Sequence, residues 1–250
     1  MIEFKGATKS FGDKPVLRGL DLLIREGETF AILGKTGAGK SVLLRSVVGL
    51  IRLDSGRVFV DGQDVTDLDE RKFAPIRLKC GMVFQLPTLF DSLTVAENVA
   101  FGLRRHRKMT EAEIRNAVLE NLELTGLNGE IAELMPQELS YGQQKRVGLA
   151  RTVALRPAYL LYDEPTTGLD PLSAAGINAL INDMAEKLRV TSIVVTHDIQ
   201  CVRTTADRVA LLHEGNLIET ADPETFVKSE NEILRAFLDG EAAGVKMGDC

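Results

Sequence analysis

The chain has 250 residues, 44% of them hydrophobic, enough to bury a sizeable core as one large domain or two tightly joined lobes. Its formal net charge of −6 and scattered basic residues exclude the broad cationic stripe that a nucleic-acid backbone requires, so no nucleic-acid partner is expected. Cys80, Cys201 and Cys250 lack disulfide or zinc-ligand spacing, and no cationic leader or run of about 18 apolar residues occurs, so a soluble chain in a reducing compartment is expected.

In chain order, "MIEFKGATKSF" and "VLRGLDLLI" alternate as strands do, and "TFAIL" is a short apolar run that stops at a glycine-rich turn. "SVLLRSVVGL" then has helical periodicity, "RVFVDG" follows a turn at Asp54-Ser55-Gly56, and the apolar piece "GMVFQ" precedes a segment interrupted by Pro87. This half reads as strands with one helix. From about Val95 to Leu155 the signals are helical, with Thr110 and Glu113 forming a capping box ahead of "EAEIRNAVLENLEL". The runs "AYLLYDE", "TSIVVTH" and "RVALLHEG" alternate with helical stretches, the order of a parallel sheet with crossover helices, so the sheet is built from both ends of the chain. No long linker or internal repeat occurs, and "EAAGVKMGDC" reads as a frayed end.

The stretch "GKTGAGKS", Gly34 to Ser41, matches G-x-x-x-x-G-K-[ST] between a strand and a helix, the context that separates a phosphate cradle from a plain glycine turn. Glycines let backbone N–H groups curl around phosphate, the helix start adds a positive dipole end, Lys40 reaches the β/γ oxygens and Ser41 can ligate Mg²⁺. In "YLLYDEP" a strand delivers Asp163 and Glu164 at its carboxyl end, where ligands sit in open α/β sheets. Alone, the two carboxylates serve equally well as a helix cap. With the phosphate loop they suit metal holding by Asp163 and water activation by Glu164, and hence hydrolysis of a phosphoanhydride. A second anion cradle, "LSYGQQKRVGLAR" from Leu139 to Arg151, follows about a hundred residues later, and Ser140 with Gln143 also reads as an S-x-x-Q capping box.

These motifs, in this order, resemble those of the ATP-binding cassette (ABC) ATPases from Met1 to about Gly240: "GKTGAGKS" its Walker A, Gln85 its Q-loop, "LSYGQ" its signature, "YLLYDE" its Walker B, "TGLD" with Asp170 its D-loop, His197 its switch histidine. The resemblance implies an α/β P-loop NTPase with a RecA-like mixed sheet core, an antiparallel β subdomain and a helical subdomain at about 86–156. It implies one ATPase domain over 1–240 and a flexible tail over 241–250. Catalysis is expected from Glu164, His197 and Lys40. Nucleotide binding is expected from Phe11, Gly34, Lys35, Thr36, Gly37, Ala38, Gly39, Lys40, Ser41, Val42, Gln85, Ser140, Gly142, Gln143 and Asp170, and Mg²⁺ binding from Ser41, Gln85 and Asp163. Phe11 is as readily a core aromatic as an adenine stack. His197 alone reads as a turn residue after a strand and Gln85 as a polar strand end, but the resemblance implies that His197 contacts the γ-phosphate and that Gln85 links Mg²⁺ to the helical lobe. Arg146 and Arg151 read as a solvated or interlobe helix face.

The family's ATPases pair head to tail, so the signature of one chain would serve the ATP of a second copy; here Tyr141 stands where the family has a glycine. The chain has neither a coiled-coil insertion nor a second Walker A, which leaves the ATPase subunit of a transporter with a separate membrane permease, on the cytoplasmic face of the inner membrane. Within the family, "LFDSLTVAENVAFGLR", "MPQELS", "LLYDEPTTGLDP" and "ILRAFLDG" are similar to the ATPases of MCE-type (Mla) phospholipid transporters. That implies an MCE-domain protein and a small cytosolic regulator as further partners, with Leu89, Phe90 and Val95 in the surface that receives the permease. The alternatives are an importer of amino acids or other polar solutes, and a soluble ATPase without transport.

Overall fold

The computed structural model describes residues 1–247. Strands β1 (Ile2–Phe11) and β2 (Lys14–Ile24) form a hairpin. They are followed by β3 (Thr29–Leu33), α1 (Lys40–Val47), β4 (Ser55–Val60), β5 (Gln63–Asp64), α2 (Glu70–Lys79) and β6 (Cys80–Val83). Three helices come next, α3 (Val95–His106), α4 (Glu111–Leu124) and α5 (Tyr141–Val153). The chain then returns through β7 (Tyr159–Asp163), α6 (Pro171–Leu188), β8 (Thr191–Thr196), α7 (Ile199–Thr205), β9 (Arg208–His213), β10 (Asn216–Ala221), α8 (Pro223–Phe226) and α9 (Glu232–Met247).

Two sheets result. An antiparallel sheet has the order β2-β1-β4-β5, and a six-stranded sheet has the order β10-β9-β3-β8-β7-β6, parallel except for the β10–β9 edge. The central strands are covered on both faces, which is why they read as unbroken apolar runs rather than alternating ones. Phe30 and Ile32 of β3 face the core shared with α1 and the antiparallel sheet, while Ala31 and Leu33 face α7, α8 and α9. Leu161 and Leu160 on β7 divide in the same way, Leu160 packing with Ile181 and Met184 of α6. Period-two alternation thus sorts one short strand into two cores.

The helical lobe has its own core of Val95, Val99, Leu103, Ile114, Val118 and Leu122. Its helices start where the sequence places them, since Thr94–Glu97, Thr110–Glu113 and Ser140–Gln143 each form reciprocal capping boxes. Helix α5 belongs to both units: Val147 and Ala150 face the lobe, Leu149 and Val153 the sheet. Arg151 is half-buried and ties α5 to the segment after β6, donating to the Thr88 carbonyl at 2.9 Å with its guanidinium 5.4 Å from the Phe90 ring centre.

Three differences from the sequence reading have physical causes. Helix α2 was not expected, because Pro75 and a charge-rich stretch mask it; the Asp69 cap, the Glu70–Arg77 pair and the buried Phe73 and Ile76 hold it. Strand β10 lies on the sheet edge and carries Asn216, Glu219 and Thr220, so its pairing to β9 rather than an apolar run declares it. Helix α9 runs past residue 240, where a flexible tail was expected to begin; residues 248–250, including Cys250, lie outside the described residues. Among the described residues no helix is long and apolar enough to cross a membrane.

Candidate active site

The carboxyl ends of three adjacent strands, β3, β8 and β7, deliver the site. After Leu33 the chain turns through Gly34–Gly39 into α1, whose start carries no side-chain cap, so its N–H groups remain available to an anion. Two glycines are required by space. A Cβ on Gly34 would sit 2.6 Å from the Leu212 carbonyl oxygen, and Gly39, at φ 105°, would place one 2.7 Å from Val16 Cγ1. Gly39→Ala is therefore expected to cost about 1–3 kcal/mol of stability in strain and to weaken nucleotide binding, as read by thermal melting with and without ATP. An unchanged melting temperature would mean that the loop relaxes around the methyl group.

Lys40 is only 4% exposed, its Nζ donating to the Gly34 carbonyl at 2.5 Å and to the Lys35 carbonyl at 3.2 Å and lying 3.0 Å from Glu164 Oε1. Ser41 donates to Asp163 Oδ1 at 2.6 Å, and Arg45, one turn along α1, lies 3.4 Å from Asp163 Oδ2. Glu164 has φ 51°, the left-handed region, and its N–H donates to the Val195 carbonyl at 2.9 Å. That turn sends the neighbouring carboxylates to different partners, Asp163 to Ser41 and Glu164 to Lys40, to His197 Nδ1 at 2.8 Å and to Thr167 Oγ1 at 3.3 Å. Burial pushes the Glu164 carboxyl up, but the His197 hydrogen bond and the Lys40 charge outweigh it and hold the group below its ordinary value of 4.5. Glu164 is thus a carboxylate at neutral pH, with proton-accepting oxygens at the phosphate loop.

These groups open onto a cleft of about 370 Å³ that brings together Phe11, Thr36, Gly37, Gly39, Lys40, Ser41, Val42, Gln85, Glu164 and His197. Phe11 is half exposed, with Lys9 Nζ 5.5 Å from its ring centre, so it is a surface aromatic at the cleft and not a core residue. Lys35 and Ala38 face a neighbouring cleft beside His213 and Gly215, and Gly34 lies beneath, against Leu212. Ser140, Gly142 and Gln143 are not brought to the phosphate loop; they line a separate cleft with Asn128, Arg146 and Ser173. Asp170 caps α6, accepting from the Ser173 N–H at 3.0 Å. Arg45 and Thr167 were missed by the sequence reading, although Arg45 lies four residues after Ser41 on one helix, a spacing that puts both on one face.

The residues fit a nucleoside triphosphate with Mg²⁺. Glycine backbone and a buried ammonium suit phosphate, while the Ser41 hydroxyl and Asp163 carboxylate are hard oxygen donors of the kind Mg²⁺ takes. Among the described residues no cluster of three or more His, Cys, Asp or Glu side chains could hold a metal ion.

A parallel-stranded P-loop core, an antiparallel sheet, a helical lobe and this set of carboxylates on the phosphate loop define an ATP-binding cassette ATPase. Residues 17–167 match the ABC transporter family, and the chain belongs to it. It is 39% identical over 243 residues to the probable ribonucleotide transport ATP-binding protein mkl of Mycobacterium leprae, covering 97% of this chain and 70% of that protein. It is 38% identical over 244 residues to the intermembrane phospholipid transport system ATP-binding protein MlaF of Haemophilus influenzae, covering 98% and 92%. The methionine import ATP-binding protein MetN of Leifsonia xyli subsp. xyli is 44% identical over 241 residues, covering 95% and 70%. A dimeric post-hydrolysis structure of the ATP-binding cassette MJ0796, bound to ADP and Pi, superposes with a TM-score of 0.82 at 34% identity over 89% of this chain and 99% of that one.

Proposed function

We propose that the chain is the ATP-hydrolysing subunit of a transporter that moves phospholipid between membranes, acting as a head-to-tail dimer beneath a membrane permease. The observation that carries the hydrolytic part is the set Lys40–Glu164–His197 beside Ser41–Asp163, gathered around one phosphate loop from three strand ends. Lys40 binds the β and γ phosphates of the substrate, and Phe11 offers its face to the base. Glu164 takes the proton of the attacking water, and His197 fixes the Glu164 carboxylate and reaches the γ-phosphate side of the cleft. Ser41 and Asp163, with Gln85 at the cleft edge, would hold Mg²⁺, which when bound supplies electrostatic stabilisation of developing phosphate charge.

Separation of the Ser140–Gln143 cradle from the chain's own phosphate loop supports a dimer in which each signature face, with Asp170 beside it, closes over the partner copy's ATP. That the MJ0796 cassette is dimeric with ADP and Pi bound supports the pairing of two copies.

The lipid cargo rests on the similarity to MlaF, and the MetN similarity favours a second reading, import of an amino acid. Isolation of the complex from membranes decides between them. Lipid transport predicts co-purification with a multi-spanning permease and an MCE-domain protein, with or without a small cytosolic regulator, and phospholipid detected by mass spectrometry without addition. Recovery of a soluble solute-binding protein whose polar ligand stimulates hydrolysis would overturn the lipid reading.

The permease-facing surface differs in detail from the sequence expectation. Val95 is fully buried in the helical lobe, so a charge there would disrupt the lobe itself, and Leu89 is partly buried. Phe90 and Phe101, with ring centres 4.6 Å apart, and the 63%-exposed Leu86 are the accessible apolar positions. Phe90→Ala is expected to release the permease while leaving the isolated chain folded, since truncating an aromatic anchor at an interface costs about 2–4 kcal/mol. Pull-down and circular dichroism read the two halves of that expectation, and retained permease would remove Phe90 from the contact.

A further inference from the structure

Lys145 is a second buried cation, 5% exposed, that lies on the signature helix rather than on the phosphate loop. Its Nζ donates to the Pro165 carbonyl at 2.8 Å, and Pro165 directly follows Glu164. The Tyr141 ring, one turn earlier on α5, covers the ammonium with 5.4 Å between Nζ and the ring centre. Tyr141 also donates from its hydroxyl to the Gln85 carbonyl at 3.4 Å and packs on Gly168, where an added Cβ would lie 3.4 Å from Cε1. One turn of helix therefore touches the backbone on the far side of Glu164, the turn at Gln85 and the segment leading to Asp170.

We propose that Lys145, shielded by Tyr141, is a positioning residue for Glu164. The signature helix would then act on its own chain's base while its Ser140 end faces the partner copy. The proposal rests on Glu164 being the base. A non-glycine residue at φ 51° persists only where its surroundings over-determine it. The Glu164 N–H is fixed to Val195 on one side, and on the other Lys145 grips the next carbonyl while the Thr167 N–H donates to the Glu164 carbonyl at 3.4 Å. Packing alone would favour an apolar side chain, because burial penalises the ammonium and lowers it to about 8, with the Glu164 charge opposing that shift. A buried lysine here is thus explained by its hydrogen bond and its charge, not by its bulk.

Steady-state ATP hydrolysis by the purified chain tests this with Lys145→Met, Lys145→Arg and a Glu164→Gln/Lys145→Met double variant. Lys145→Gln stands in for Lys145→Met if the latter does not fold by circular dichroism. Lys145→Met is expected to lower kcat about ten- to a hundredfold with KM for ATP changed by less than about twofold, and Lys145→Arg to recover most of the loss. In the Glu164→Gln background the same replacement should change residual turnover by less than about twofold, because a positioning residue has nothing left to position. Wild-type kcat in Lys145→Met, beside an inactive Glu164→Gln, would overturn this proposal alone, as would a loss that persists in full in the double variant. Wild-type turnover in Glu164→Gln would overturn the base assignment and this proposal with it.

Discussion

Glu164→Gln is expected to lower ATP turnover by about 10²–10⁴-fold while ATP still binds, the range that a positioned general base contributes. The amide keeps the shape of the carboxylate and can still meet Lys40 and His197, which lie 3.0 Å and 2.8 Å from the two Glu164 oxygens, but it cannot accept a proton from water. Glu164 suits that task because the Lys40 charge and the His197 contact hold it ionised despite its burial. With cleavage blocked, ATP should accumulate between two chains, so size-exclusion chromatography with ATP should show a shift from monomer to dimer. A variant that hydrolyses at the wild-type rate would move the catalytic role to another residue, and a variant that stays monomeric with ATP would count against the head-to-tail pair.

Lys40→Ala is expected to weaken ATP binding by about ten- to a hundredfold or more, since a hydrogen bond to a charged group is worth about 1.5–3 kcal/mol and 1.4 kcal/mol is tenfold in affinity. Arg45 is committed to Asp163, and Lys35 faces the neighbouring cleft, so neither replaces a buried ammonium held at the Gly34 carbonyl. The replacement also acts on the protein without nucleotide. Removing one partner of a buried ion pair costs about 3–5 kcal/mol, and only part of that is expected here because His197 and Thr167 still hold Glu164. Glu164 is depressed below 4.5, so its contribution to stability is present above that value and is lost as pH falls through its lower folded value; loss of Lys40 should narrow that window. Calorimetric titration with ATP and melting curves at two acidic pH values measure the two effects, and unchanged ATP affinity would remove Lys40 from the phosphate site.

Local chemistry made much of this readable from the sequence alone. "TFAIL" before "GKTGAGKS" declares a strand, a cradle and a helix within a dozen residues, because the glycines, the lysine and the hydroxyl act on one phosphate group at short range. The capping boxes at Thr110 and Ser140 were legible for the same reason, each being a bond between residues three apart. Resemblance carried Gln85, Asp170, His197 and the pairing of two chains, none of which spacing alone would have supplied.

Tertiary structure decided whatever depends on groups distant in sequence. The divergence of Asp163 and Glu164 needs a left-handed residue after β7 and partners 122, 124 and 33 residues away, at Ser41, Lys40 and His197. Arg45 at Asp163, Tyr141 at Gln85 and Lys145 at Pro165 are likewise side chains on one helix meeting a carboxylate or carbonyl on another element. The burial of Val95 and the exposure of Phe90, five residues apart in one apolar-looking stretch, were settled by which side chains the α3–α4–α5 lobe could enclose. A sequence records which groups are close along the chain, whereas hydrogen bonds, ion pairs and exclusion of water act between groups close in space. The phosphate loop was therefore determined by the sequence, and the carboxylate geometry around it by the fold.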